Sequence, residues 1–231
     1  SLSDSVPHAP TRLHALSRDE MRRSVANVLR YVAKPLHSQL AGEFMAELET
    51  YGHVYAYRYR PPADFPMRAV TLSSIPAAST SGAAMIHLIL NNLDPAVAQF
   101  PEELVTYGGN GSVFSNWLQF RATLRFLLGL TSSGTLHLHS GHPLGVFPSG
   151  SMAPRCVISN GLMVPNYSRR EDYARGYAMN VTQYGQMTAG SWCYIGPQGI
   201  VHGTYLTILN AQRNFLGSVE PGRVYVSSGL G

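Results

Sequence analysis

Residues 176–212 contain no Asp, Glu, Lys or Arg, yet they are rich in amides, hydroxyls, glycines and aromatic rings. The centre of the run reads QYGQMTAGSWCYIGPQGIVHGT, residues 183–204. Polar groups interrupt it too often for a membrane span, and a solvated loop would carry charge. Polar groups taken out of water need hydrogen-bond partners. The run must therefore be enclosed, either by other protein or by a ligand. Gln183, Gln186, Thr188, Ser191 and Gln198 offer donors and acceptors without net charge, and Tyr184, Trp192 and Tyr194 can form flat walls. Such a lining suits a ligand read by hydrogen bonds and stacking, for example a nicotinamide amide or an imidazole ring. A loop packed between subunits is the alternative.

The rest of the composition points the same way. Charged residues make up 13% of the 231, against about 25% in an average soluble domain. Much of the surface is therefore expected to be covered, by a partner subunit or by more of the same protein. The net charge of +4 comes from dispersed arginines, with Lys34 the single lysine. No basic run supports nucleic-acid binding. No uncharged apolar stretch reaches the roughly 18 residues of a membrane span. The N-terminus, SLSDSVPHAPTRLH, lacks a signal-peptide core. Cys156 and Cys193 are too few for a disulfide scaffold.

Read along the chain, Ser17-Arg-Asp-Glu20 is a capping box opening a helix that ends before Pro35. A second helix is expected over 36–50, stopped by Gly52. HVYAYRYR, 53–60, alternates like a half-buried strand. Residues 61–81 look like a connector. A helix with a break at Asn91–Pro95 and a further short helix are expected over 83–101, a strand at 104–109, an apolar helix at 114–130, and a strand at 135–140. GVF and RCVISN are read as two more strands. Helices follow near 169–180 and 200–215, and RVYVSS near the end is a β-branched strand. The expected class is mixed α/β. Residues 1–80 are taken as an N-terminal helical appendage and linker, 81–192 as a core region, and 193–231 as the start of a nucleotide-binding domain.

Three motifs could carry chemistry. Tyr107-Gly108-Gly109-Asn110-Gly111 lies between a strand and a helix, where glycines allow backbone to approach a ligand and N–H groups can hold an anion; a tight turn is the alternative. The closing strand runs into Gly229-Leu230-Gly231, which is how a dinucleotide-binding βαβ unit begins; an ordinary turn is the alternative. His137-Leu-His139-Ser-Gly-His142 puts two histidines on one strand face and a third after a turn, a pattern that can bind metal but has no carboxylate nearby.

The residues also carry a family resemblance. ILNNLDPAVAQFPEELVTYGGNGSVFSNW, SGHPLGVFPS, PRCVISNGLMVPNYS, YGQMTAGSWCYIGPQGIVHGTYLTILNA and VSSGLG occur in order between residues 89 and 231. They resemble the N-terminal part of urocanase, and 14–60 resembles the extra N-terminal region of its eukaryotic members. The resemblance implies a hydro-lyase of histidine breakdown, a cytoplasmic homodimer that hydrates urocanate with tightly held NAD⁺ as an electrophile. It implies NAD contacts at Tyr107, Gly108, Gly109, Gln186, Gly229 and Gly231, with Tyr107 and Thr188 near the substrate. It implies no metal. The family's catalytic Cys, its substrate-carboxylate arginines and most of its nucleotide-binding domain lie further on. No residue of this chain is therefore assigned a catalytic role, and the chain is expected to be an inactive fragment whose partner is the rest of its own chain. The rival readings are a non-catalytic dimerisation module and a His-metal hydrolase.

Overall fold

A computed structural model describes residues 5–11, 16–107, 111–112, 114–159, 169–183, 198–217, 221–222, 224 and 226. It is a mixed helix-and-strand fold, in two units, Ser1–Tyr194 and Ile195–Gly231.

The first unit opens with the expected capping box. Ser17 Oγ accepts from Glu20 N, and Glu20 Oε2 accepts from Ser17 N at 2.8 Å, starting helix α1, Arg18–Leu29. Helix α2, His37–Tyr51, stops at Gly52, whose φ is 71°. Leu40, Phe44 and Leu48 recur every four residues along α2, one stripe of a helix. They close a small core with Val25, Val28 and Leu29 of α1 and with Leu118.

The expected strand at 53–60 is instead an extended stretch followed by a 3₁₀ turn, Tyr57–Tyr59. Buried Glu47 explains the difference. Its carboxylate accepts Ala56 N at 2.7 Å and Tyr57 N at 3.0 Å, holding Ala56 at φ 55°, outside any strand. Burial pushes the Glu47 carboxyl up to about 7 while those backbone donors pull the other way. The 61–81 connector is not a bare linker, because Phe65, Met67, Val70 and Ile75 pack on the main core.

That core is built by helices α3, Thr80–Asn92, and α4, Trp117–Leu128. Ile86, Ile89 and Leu93 meet Phe114, Trp117, Phe120 and Leu127. The short helix expected after α3 is a turn followed by a 3₁₀ turn at Pro101–Glu103. Strands β1, Val105–Tyr107, and β2, Gly111–Ser112, pair antiparallel around the 108–110 loop. A three-stranded sheet then forms in the order β4-β3-β5 from β3, Gly134–His139, β4, His142–Pro148, and β5, Cys156–Ser159. β3 is antiparallel to β4 and parallel to β5, and its Leu136 and Leu138 enter the core. Helix α5, Arg170–Ala178, follows.

In the second unit, helix α6 spans Gln198–Leu216. Tyr205, Leu206, Phe215 and Leu216 are exposed. Of the expected strand at 223–228, Val224 and Val226 are described, and both are exposed. Among the described residues no helix is long and apolar enough to cross a membrane.

Two helical glycines make opposite predictions. A Cβ on Gly82 of α3 would lie 2.4 Å from the Leu127 carbonyl oxygen of α4, whereas one on Gly42 of α2 would meet nothing within 4 Å. Alanine is favoured over glycine inside a helix by about 1 kcal/mol, but overpacking against backbone costs about 1–3 kcal/mol. Chemical denaturation should show Gly82→Ala destabilised and Gly42→Ala stabilised by roughly 0.5–1 kcal/mol.

Candidate functional site

Tyr107 ends β1, pairs with Gly111 and is 38% exposed. The other predicted site residues, Gly108, Gly109, Gln186, Thr188, Gly229 and Gly231, lie outside the described residues. What the structure does describe is the ground from which two of these stretches spring. Gln183, the residue before Tyr184, donates through Nε2 to the Ser112 carbonyl at 2.5 Å. Tyr107, paired with Gly111, and Gln183, bonded to Ser112, therefore meet adjacent residues of β2. Gln183 itself is 7% exposed and committed to holding β2, so it does not serve as the free ligand contact that its sequence context suggested.

Beneath this junction lies a network of buried side chains: Ser24, His53, Ser112, Ser115, Asn116, Gln119, Ser140, Asn180 and Gln183. None is Asp, Glu, Lys or Arg. Gln119 accepts from Ser115 N at 2.8 Å, and its Nε2 lies 3.0 Å from His142 Nδ1. His53 lies with Nδ1 2.9 Å from the Tyr177 carbonyl and Nε2 2.7 Å from the Ser115 carbonyl. Its ring stacks on Tyr177 at 4.0 Å. Asn116 Nδ2 reaches Asn180 Oδ1 at 3.5 Å. Buried hydroxyls Ser115 Oγ and Thr182 Oγ1 have no protein partner.

The β3–β4 turn is locked into this network by Ser140 and Gly141, with φ of 46° and 78°, the pairing a two-residue hairpin of primed type requires. A Cβ at Gly141 would fall 2.8 Å from Gln119 Oε1 and 3.0 Å from Gln183 Oε1. Only glycine lets the turn sit against both amides.

The three histidines go different ways. His137 and His139 share a face of β3, as their spacing predicts, and both approach Ser159 Oγ, at 3.1 and 2.9 Å. His142 turns to Tyr31, whose hydroxyl is 2.6 Å from Nδ1. Among the described residues no three of His, Cys, Asp and Glu are grouped to hold a metal ion. Burial, reinforced by the charge of Arg30, pushes the His142 imidazole down to about 4, against a hydrogen bond with the Asn180 backbone. These groups border a cleft of about 460 Å³ lined by Arg30, Tyr31, His139, His142, Asn180 and Val181. A wider hollow of about 990 Å³, lined by Phe65, Met67, Leu93 and Trp117, touches none of the predicted site residues.

Sequence reading missed Ser24, His53, Gln119 and Asn180. Each is an isolated polar residue in an ordinary context, with partners in distant segments, so no local pattern marks it.

His142 gives a pH prediction. Its pKa is lower folded than the ordinary 6.5, so between about 4 and 6.5 the unfolded chain binds more protons and stability falls with falling pH. Unfolding at a series of pH values should show that loss, at most about 3 kcal/mol from this group. His142→Gln should flatten the profile in that window.

The comparisons with known proteins identify the family. The urocanase N-terminal domain profile matches residues 67–193, and the urocanase Rossmann-like domain profile matches 196–231. The chain is 55% identical over 232 residues to the probable urocanate hydratase of Dictyostelium discoideum, covering 100% of this chain and 34% of that one. It is 56% identical over 227 residues to the urocanate hydratases of Homo sapiens and Mus musculus, covering 98% of this chain and 33% of each. The chain thus spans about a third of the length of these relatives. With one domain profile covering more than half of it, residues 67–193, and a second beginning at residue 196, the chain belongs to the urocanase family.

Proposed function

We propose that this chain forms one side of the NAD⁺ and urocanate site of a urocanate hydratase, a hydro-lyase that converts urocanate and water to imidazolone propionate. The observation that carries the reading is the Gln183–Ser112 hydrogen bond. It ties Gln183, the residue before the predicted stretch 184–188, to β2, the strand that pairs with Tyr107 of the predicted stretch 107–109. Relatives that cover this whole chain at 55–56% identity are urocanate hydratases.

The donor set fits such ligands. A nicotinamide amide and an imidazole are neutral, flat and rich in donors and acceptors, and amides and hydroxyls match them without the repulsion or desolvation penalty of a buried charge. NAD⁺, when bound, supplies the electrophile; the protein supplies position and electrostatics. In this reading Tyr107 closes the substrate side, Gly108 and Gly109 bring backbone N–H groups to the cofactor, and Gln186 bonds it. Thr188 orients urocanate, and Gly229 and Gly231 begin the phosphate loop. The carboxylate-binding cations and the catalytic Cys come from sequence beyond these residues. The whole enzyme is a cytoplasmic homodimer of histidine breakdown, and these residues alone are inactive.

The test compares this chain with a chain of the relatives' length that contains it. The longer chain should retain NAD⁺ through purification and deplete urocanate, read from its ultraviolet absorbance; the shorter should do neither. Gln186→Ala in the longer chain should weaken NAD⁺ retention about tenfold, the worth of one buried hydrogen bond. A longer chain that holds NAD⁺ but leaves urocanate untouched would overturn the assignment.

A further inference from the structure

Residues 1–66 precede the matched domain profiles, yet side chains from this segment converge on one place, the C-terminal end of α5. A helix leaves its last carbonyls without intrahelical donors, and when that end is buried other groups must supply them. Here Ser24 Oγ donates to the Ala178 carbonyl at 2.6 Å and Asn27 Nδ2 to the Met179 carbonyl at 2.8 Å, both from α1. His53 Nδ1 approaches the Tyr177 carbonyl at 2.9 Å. Two consecutive carbonyls are therefore held by side chains of α1, and the Tyr177 carbonyl, which also accepts Asn180 N at 2.9 Å, faces His53. A fourth tie lies outside them, where Arg175 of α5 donates to Glu20 of α1 through Nε at 2.8 Å.

The clamp continues into the backbone turn. Asn180 takes φ 55°, its Nδ2 donates to Ser24 Oγ at 3.2 Å, and Val181 N and Thr182 N both return to the Gly176 carbonyl. The chain leaves this turn and reaches the Gln183–Ser112 bond one residue later. Tyr184, the first residue of the predicted ligand-facing stretch, comes next.

We propose that the N-terminal helical segment is a positioning device for the ligand site. Ser24, Asn27 and His53 fix the end of α5, and with it the launch point of residues 184–188. They are positioning residues that touch the site only through this backbone. The inference rests on the reading of 184–188 as ligand-facing.

The test is hydrogen exchange on this chain with Ser24→Ala/Asn27→Ala. Amides of 177–194 should exchange roughly tenfold faster while those of α2 are unchanged, since the lost bonds are local to the α5 end. Asn27→Ala alone, at a partly buried position, gives a smaller shift of the same pattern should the double variant not fold. The same double substitution in a chain of the relatives' length should loosen NAD⁺ retention by a similar factor. Ser24→Thr, which keeps the hydroxyl, should retain both. Unchanged exchange at 177–194, or faster exchange spread evenly over the chain, overturns the clamp. Faster exchange with unaltered NAD⁺ retention overturns its role in positioning. If the unsubstituted longer chain holds no NAD⁺, the functional reading fails, and the exchange data still decide the clamp.

Discussion

The arrangement of the first unit depends on how the buried end of α5 is satisfied. Helices end with carbonyls that need donors, and water is excluded at this end: Tyr177, Ala178 and Asn180 are all within 1% of full burial. An unmade hydrogen bond there costs about 1–3 kcal/mol per group. Side chains from α1 and from residue 53 meet the need. These donors sit far away in sequence, and they add to the local bonds from Asn180 N to the Tyr177 carbonyl and from Val181 N and Thr182 N to the Gly176 carbonyl.

The second constraint is neutrality. The network of buried side chains is polar but contains no Asp, Glu, Lys or Arg, and its amides bond one another and the backbone. A buried charge would need a partner and would distort the field at the mouth. Amides and hydroxyls can be buried at little net penalty if each is paired. Charged groups that are buried in this unit lie elsewhere and have their own work. Glu47 holds the turn at Ala56, and Glu103 accepts from Ala9 N and the Tyr57 hydroxyl and lies 2.6 Å from His8. His142, at the margin, is kept neutral by burial.

Local chemistry was readable where it acts over a few residues. The capping box at Ser17–Glu20 started α1, Gly52 ended α2, and the alternation of 135–140 gave a strand whose leucines face inward and whose histidines share the other face. The stretch 53–60 misled because alternating aromatics imitate a strand. What bends it is a carboxylate nine residues upstream reaching back to two amides, and no periodicity reports that. The 61–81 segment misled for a related reason: its proline and serine content reads as linker, while a few spaced apolar side chains suffice to pin it to the core. Gln183 was picked out as a polar residue in an uncharged run, but its commitment to Ser112 needed the fold.

By itself the sequence determined the family, through long ordered motifs, and the short-range elements, because caps, stops and strand alternation are decided by neighbours within a turn or two. It also marked the 176–212 run as uncharged, of which only part is enclosed: Tyr177, Ala178 and Asn180 are buried, while Val181, Tyr205 and Leu206 are exposed. Tertiary structure decided which side chains do the enclosing. The meeting of Ser24, Asn27 and His53 with residues 177–180, and of Gln183 with Ser112, joins positions separated by 71 to 156 residues. Hydrogen bonds are short and directional, so such pairs form only when packing has already brought their elements within reach, and a sequence records the donors without recording the distance between them.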